Sequence, residues 1–457
     1  MTRNSRIVWL SALFAAIVLS SAAAQQTQPS AGSPAPPAES STPSSAFSAG
    51  MQLNIGAETI DNINWQLLGL QPNFAFGKFG LGLDLTLHYR FTGTGTNMEV
   101  RQQDWVPTSF SDFFSLYLPK IRYVSYGQEG DPLYGRLGAI DSATLGNGFI
   151  VGGYTNTLLE PNVKQFGLDF GLDGSLFKFP YVGMQTFVAN LTQFDVIGAN
   201  LYVRPLLFTG IPIVKNIQIS GVIAADRNPY LYYTGTTPAP TGPSVTIFGA
   251  DLLVPILSNP VISLAGMSSI AREPNGTGGM VGFGGQLIHF IDYQAQIRFL
   301  GNNFIPDYFG PTYDLYRVDN YQIASGAVQS TGGIGWFALT GFSALNNKLV
   351  FNVSLEGPFK APPAGSTNYL DYPHLQAIFA LQQGALPGFF FSATYDKKLI
   401  ASFSDLISAE NAVIGAAINY QSGPAVITLS YNLQYDPTAS PNPWDVTSSL
   451  STSISLF

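Results

Sequence analysis

The chain has no cysteine, only three histidines (His88, His289 and His374), and little charge of either sign. Charged residues make up 11% of its 457 positions, against roughly 25% in an ordinary soluble protein. Without cysteine there are no disulfides and no zinc ribbon, and no lipid can be attached to a cysteine after a leader. A formal net charge of −8 excludes a basic nucleic-acid-binding module. Long apolar runs are missing beyond the first two dozen residues; the uncharged stretch 321–347 is broken throughout by Gly, Ser, Thr and Gln. Catalytic signatures are absent too: there is no G-x-S-x-G elbow, H-E-x-x-H pair, P-loop or EF-hand spacing. Gly146-Asn147-Gly148 with Gly152 lacks the spacing and the lysine of a phosphate loop. The sequence therefore points to no enzyme, no catalytic residue, no cofactor and no metal site.

What is present is an export signal and a long two-fold pattern. Arg3 and Arg6 precede an apolar stretch from Ile7 to Leu19, and Ala22-Ala23-Ala24 stands before Gln25. The apolar stretch is shorter than the roughly 20 residues a spanning helix needs, so residues 1–24 read as a cleaved signal peptide. Cleavage removes two arginines and no acid, leaving a formal −10. Residues 25–48 are Pro, Ser, Ala, Thr and Gln with Glu39 the only charge, a disordered linker by composition.

From Ala49 to Phe457 the dominant period is two. Phe79, Leu81, Leu83, Leu85, Leu87, Tyr89 and Phe91 alternate with Gly80, Gly82, Asp84, Thr86, His88 and Arg90. Ile291, Tyr293, Ala295, Ile297 and Phe299 alternate with Asp292, Gln294, Gln296 and Arg298, and 425–435 behaves alike. A strand places such residues on one face, whereas a helix scatters them. The runs have the length a tilted strand needs to cross a bilayer. A soluble sandwich has shorter strands and carries Lys and Glu on its outer face. Short connections near 77–78, 127–131, 178–180, 209–215, 258–260, 289–290, 346–347, 384–387 and 422–424 alternate with longer ones. Aromatic residues, among them Tyr89, Phe91, Tyr126, Tyr134, Tyr395, Tyr420 and Tyr435, sit near the expected strand ends.

On these patterns and the terminal Phe457 the chain resembles the porin-like outer-membrane β-barrels of Gram-negative-type bacteria. The segment 126–134, followed by 144–148, is similar to a motif of uncharacterised members of that class. The expected fold is all-β: one transmembrane antiparallel barrel of about twenty strands (16 to 20), with both termini periplasmic. The resemblance implies that the C-terminal aromatic is read by the barrel-assembly machinery. Ser451, Ser453 and Ser455 share the face of Phe457, where the class carries apolar residues, so the register of the last strand stays open. With the apolar face toward lipid, Asp84, His88, Arg90, Asp169, Arg204, Asp292 and Arg298 are the expected lumen or pore-lining residues. They either pair across the wall or set a field for solutes. Residues 397–411 are expected to form either a short helix that caps or plugs the mouth or a packed loop with no such role, and 141–163 a loop folded into the lumen. The expected function is a channel for small solutes in the outer membrane, with outer-membrane lipid as its surroundings and no nucleic-acid partner. The alternatives are a transporter of hydrophobic substrates, of the fatty-acid type, and a plugged structural or adhesin barrel.

Overall fold

The computed structural model describes residues 47–61, 63–93, 97–233, 240–288, 290–345, 348–435 and 443–456. The segments read as signal peptide and most of the linker, His289 and the terminal Phe457 lie outside the described residues. Strands β1 (Phe47–Ile60) and β2 (Ile63–Phe76) form the first hairpin. The next wall strand comes in two pieces, β3 (Phe79–Leu83) and β4 (Leu85–Thr92), both paired with β2. The strand after it is also split: β5 (Asn97–Val100) pairs with β4, and β6 (Ile121–Tyr126) with β3. Between these pieces residues 101–120 leave the sheet and carry α1 (Phe110–Tyr117). Then follows β7 (Leu133–Gly138), and a separate small hairpin of β8 (Ala143–Leu145) and β9 (Val151–Tyr154).

The meander continues through β10 (Gly167–Asp173), β11 (Val182–Val188), β12 (Val196–Val203), β13 (Gln218–Asp226) and β14 (Val245–Ser258). It runs on through β15 (Ile262–Arg272), β16 (Thr277–Leu287) and β17 (Ile291–Leu300), then α2 (Tyr313–Ala324). The last strands are β18 (Gly333–Ala344), β19 (Leu349–Pro358), β20 (His374–Leu386), β21 (Phe389–Lys397), β22 (Ala412–Ser422), β23 (Ala425–Tyr435) and β24 (Trp444–Ser455). β24 pairs back onto β1, Gln52 opposite Ser455 and Glu58 opposite Ser449. With each split pair counted as one strand, the wall is a closed antiparallel barrel of 20 strands. Closure leaves the sheet no edge and gives backbone groups their partners around the ring. The seam is tight: a side chain at Gly56 would meet Leu450 O at 2.1 Å.

Most connections at one end of the barrel, the turn end, are short; the other, the loop end, carries the long connections 139–166, 301–332, 359–373 and 398–411 together with the short links from β1 to β2 and at 273–276. Outward residues form a continuous apolar belt, including Ile223, Phe248, Ile270, Ile297, Phe299, Ile418 and Leu429. At the turn end it is edged by exposed rings of Phe76, Phe79, Tyr126, Phe177, Phe208, Phe389 and Tyr420. Tyr134, expected in that girdle, instead lies buried on the inner face, its hydroxyl 3.4 Å from Asp169 Oδ1. The last strand's register is also settled: Leu450 and Leu456 are exposed, while Ser453 donates inward to Asn54. Residues 403–407 form only a 3₁₀ turn, and Phe403 and Ile407 are exposed, so this loop does not plug the mouth as expected. The apolar core lies inside the barrel, between two infolded connections and the wall of β11 to β16.

Candidate functional site: the narrowed lumen

Two loop-end connections fold back into the barrel: residues 139–166 with the β8–β9 hairpin, and residues 301–332 with α2. They pack on each other through a bridge between Val151 and Phe309 and a hydrogen bond of 3.1 Å from Tyr154 Oη to Asp314 Oδ2. The first is pinned to the wall at its tip. Asn147 N donates to Asp251 Oδ2 at 3.0 Å, and its side-chain amide donates to Leu252 O, Ser268 O and Ser269 Oγ. This seat requires glycine next door: Gly146 has φ +58°, and a Cβ there would lie 1.8 Å from Asp251 Oδ2. Asn156 closes the base of the loop, accepting from Ile140 N at 2.7 Å and donating to Gly138 O and Ala189 O.

α2 is anchored by charge. Arg317 grips Asp226 with two bonds of 2.7 and 2.6 Å, donates to Asp195 Oδ2 at 2.9 Å and reaches Asp314 Oδ1 at 3.5 Å. Tyr313 Oη donates to Asp226 Oδ2 at 2.7 Å. Arg317 and its three carboxylates are buried. Burial works against the guanidinium's charge, but Tyr313, Asp226 and Asp314 outweigh it and hold its pKa above the usual value. Burial pushes Asp314 up to about 6, with Arg317 opposing. In the other inserted segment burial pushes Glu160 up to about 7, with Lys164 and Arg122 opposing.

A cavity of about 120 Å³ remains between α2 and the wall of β17 to β20. Its wall carries a chain of alternating charges. Arg298 Nη1 donates to Glu356, whose other oxygen lies 3.1 Å from His374 Nδ1, and His374 Nε2 lies 3.0 Å from Asp396 Oδ1. Lys398 Nζ sits 3.2 Å from the ring centroid of Tyr316 and 4.3 Å from that of Tyr369. Burial lowers the Lys398 pKa to about 8 despite Asp396 and Asp319 nearby. Asp307 lines the same cavity, and burial raises its carboxyl well above the usual range.

Of the seven residues expected in the lumen, His88, Arg90, Asp169, Asp292 and Arg298 lie within strands and Asp84 and Arg204 at strand ends, and they do not form one ring. Asp84 accepts from Lys164 Nζ at 2.8 Å, and His88 lies between Asp104 (2.8 Å) and Glu58 (3.2 Å). Arg90 pairs with Glu99 at 2.7 Å over the Trp65 ring. Asp169 meets Tyr134, Arg204 pairs with Asp173 at 2.7 Å near the turn end, and Asp292 accepts from Gln286 at 3.0 Å. Of the seven, only Arg298 lines the cavity. Sequence reasoning missed Arg317 and the Glu356–His374–Asp396–Lys398 series. The available signal was helical spacing of Tyr313, Arg317, Asn320, Tyr321 and Ala324 within an apparent loop.

No family model matches the sequence, and no curated protein matches it. Among solved structures the chain is similar to Pseudomonas aeruginosa OccK3 (OpdO), at 12% identity over 90% of this chain and 95% of that one, with a TM-score of 0.37. It is also similar to P. aeruginosa OpdK, solved with vanillate, at 11% identity over 90% and 98%, TM-score 0.33. CdiB from Acinetobacter baumannii matches at 8% identity over 89% of this chain, TM-score 0.27, and the chain spans 60% of its length. With scores this low, the barrel's own geometry carries every conclusion that follows.

Proposed function

We propose that the protein is an outer-membrane channel for small solutes, exported behind a cleaved signal peptide and inserted by the barrel-assembly machinery. The observation that carries this reading is a closed wall, apolar outside, whose lumen two infolded connections narrow with an apolar core against β11 to β16 while charged side chains still line the inner face of the other strands. An outward apolar belt edged with aromatic rings suits a bilayer and has no use in water. Inside, paired charges on the lumen wall give a field that changes sign over short distances, which suits small polar solutes. Asp84, His88, Arg90, Asp169, Arg204, Asp292 and Arg298 line the passage in this reading, and Arg298 is the one placed at the cavity beside α2. Liposomes containing the refolded protein should swell in small sugars and amino acids faster than empty liposomes. Equal rates, with the barrel inserted, would favour the plugged structural barrel.

A further inference from the structure

The wall is uneven in height. β1, β2 and β14 each run 14 residues, whereas β6 and β7 run 6 and β10 and β11 run 7. A tilted strand crosses the hydrocarbon layer in about 9–11 residues, so β6, β7, β10 and β11 stop short of the far side. Their turns stay in line with the others at the turn end, so the shortfall lies at the loop end. Residues 101–120 leave the sheet at this notch. The segment starts at Arg101, whose N donates to His88 O, and returns at Lys120, whose O accepts from Asp84 N.

Two observations carry the segment across the notch on the outer side. Ser115 Oγ lies 3.3 Å from Thr192 Oγ1, in the connection between β11 and β12, several strands round the barrel from β6. Val188 stands on the outward face of β11, opposite in direction to the fully buried Phe187, yet is only 8% exposed. Outward residues of the taller neighbouring strands, such as Ile223, Phe248 and Ile270, are 43% to 59% exposed.

The segment's chemistry matches the belt it continues. Residues 105–118 hold one charge, Asp112, and its carboxylate turns back on Thr108, accepting from N at 2.6 Å and Oγ1 at 3.0 Å. Ser109 caps α1 by accepting from Asp112 N at 3.1 Å. Val106, Phe110, Phe113 and Phe114 are exposed, Phe110 by 82%, as are the outward Phe91 and Met98 of β4 and β5. The ends are polar: Asp104 binds His88, and Lys120 Nζ donates to Asp104 O at 2.7 Å. A helix satisfies its own backbone and can therefore stand in for a missing stretch of sheet against lipid.

We infer that residues 105–117 lie among lipid acyl chains and complete the wall over the notch, with Phe110, Phe113 and Phe114 as the lipid contacts. This inference rests on the membrane-channel reading above. Because the chain has no cysteine, Phe110→Cys and Phe114→Cys each give one labelling site for a nitroxide. In lipid vesicles the labels should collide with dissolved oxygen in preference to a water-soluble nickel complex, as a Phe299→Cys label on the wall does. A Phe403→Cys label in the loop should show the opposite preference. Aqueous behaviour at 110 and 114 would overturn the inference, as would shielding from both reagents, which would place a second protein surface there. Aqueous behaviour at Phe299→Cys would overturn the membrane reading itself. A second variant tests the same placement: Ser115→Cys with Thr192→Cys should form a disulfide on oxidation in vesicles. Its failure to form, in protein that inserts, would also overturn the inference.

Discussion

At the residue scale, a few buried contacts hold α2 and the 139–166 loop inside the barrel. Among the described residues Arg317 is the cation that pairs with Asp195, Asp226 and Asp314, so Arg317→Ala leaves three buried carboxylates without their counter-charge. Breaking such a buried set costs about 3–5 kcal/mol. The midpoint of thermal unfolding in detergent should fall accordingly, and an unchanged midpoint would show the cluster contributes nothing. Gly146→Val faces two penalties, a positive φ and a collision with Asp251 Oδ2, and should release the loop tip. Protease cleavage within 139–166 should then rise, with the strands still protected.

Glu160 gives a pH dependence of known sign. Its folded pKa, about 7, lies above the ordinary 4.5, so the folded state holds the proton more tightly. Stability is therefore fully present below pH 4.5 and declines as pH rises toward 7. Lys164 and Arg122 on one side, Asp84 and Glu58 on the other, set that value together with burial. Glu160→Gln should flatten the decline in thermal midpoint across this window. A wild type whose midpoint is level from pH 4.5 to 7 would remove Glu160 from the account.

At the element scale, strand faces decide tolerance. Leu429→Arg aims a charge into lipid at a cost of about 2–4 kcal/mol near the midplane, while Ser430→Arg points inward. The first should cut the membrane-inserted fraction and the second should not; equal behaviour would reverse the face assignment. Faces were legible where one side is polar, as in 79–91 and 291–299. They were illegible at Asp251, because Val245 and Ile247 on the same inward face pack against the infolded loop and are buried. Period two fails as a guide wherever the lumen itself is filled with apolar side chains. α2 was missed for the related reason that its buried face includes Asp314, Arg317 and Asn320, so hydrophobicity alone gives no helical stripe. The helix expected in 397–411 reduced to a 3₁₀ turn, since Phe403 and Ile407 have nothing to pack against. The infolding of 141–163 was legible because so long and nearly uncharged a connection is ill suited to solvent.

At the scale of the whole molecule, closure and charge govern behaviour. A ring of strands with no edge resists detergent until heated, so unheated protein should migrate faster than boiled protein on a gel. Among the lumen charges Asp84, His88, Arg90, Arg204 and Arg298 are ion-paired, whereas Asp169 and Asp292 accept from the neutral Tyr134 and Gln286. Cation preference should therefore be mild in dilute salt and fade near 1 M, where screening falls to about 3 Å. The most direct test of the central claim, a conducting barrel narrowed by its own infolded connections, is single-channel conductance in a planar bilayer. The wild type should show small, discrete steps, and Arg317→Ala and Gly146→Val, which loosen the two connections, larger ones. Inserted wild-type protein without conductance, or steps unchanged in both variants, would contradict the claim.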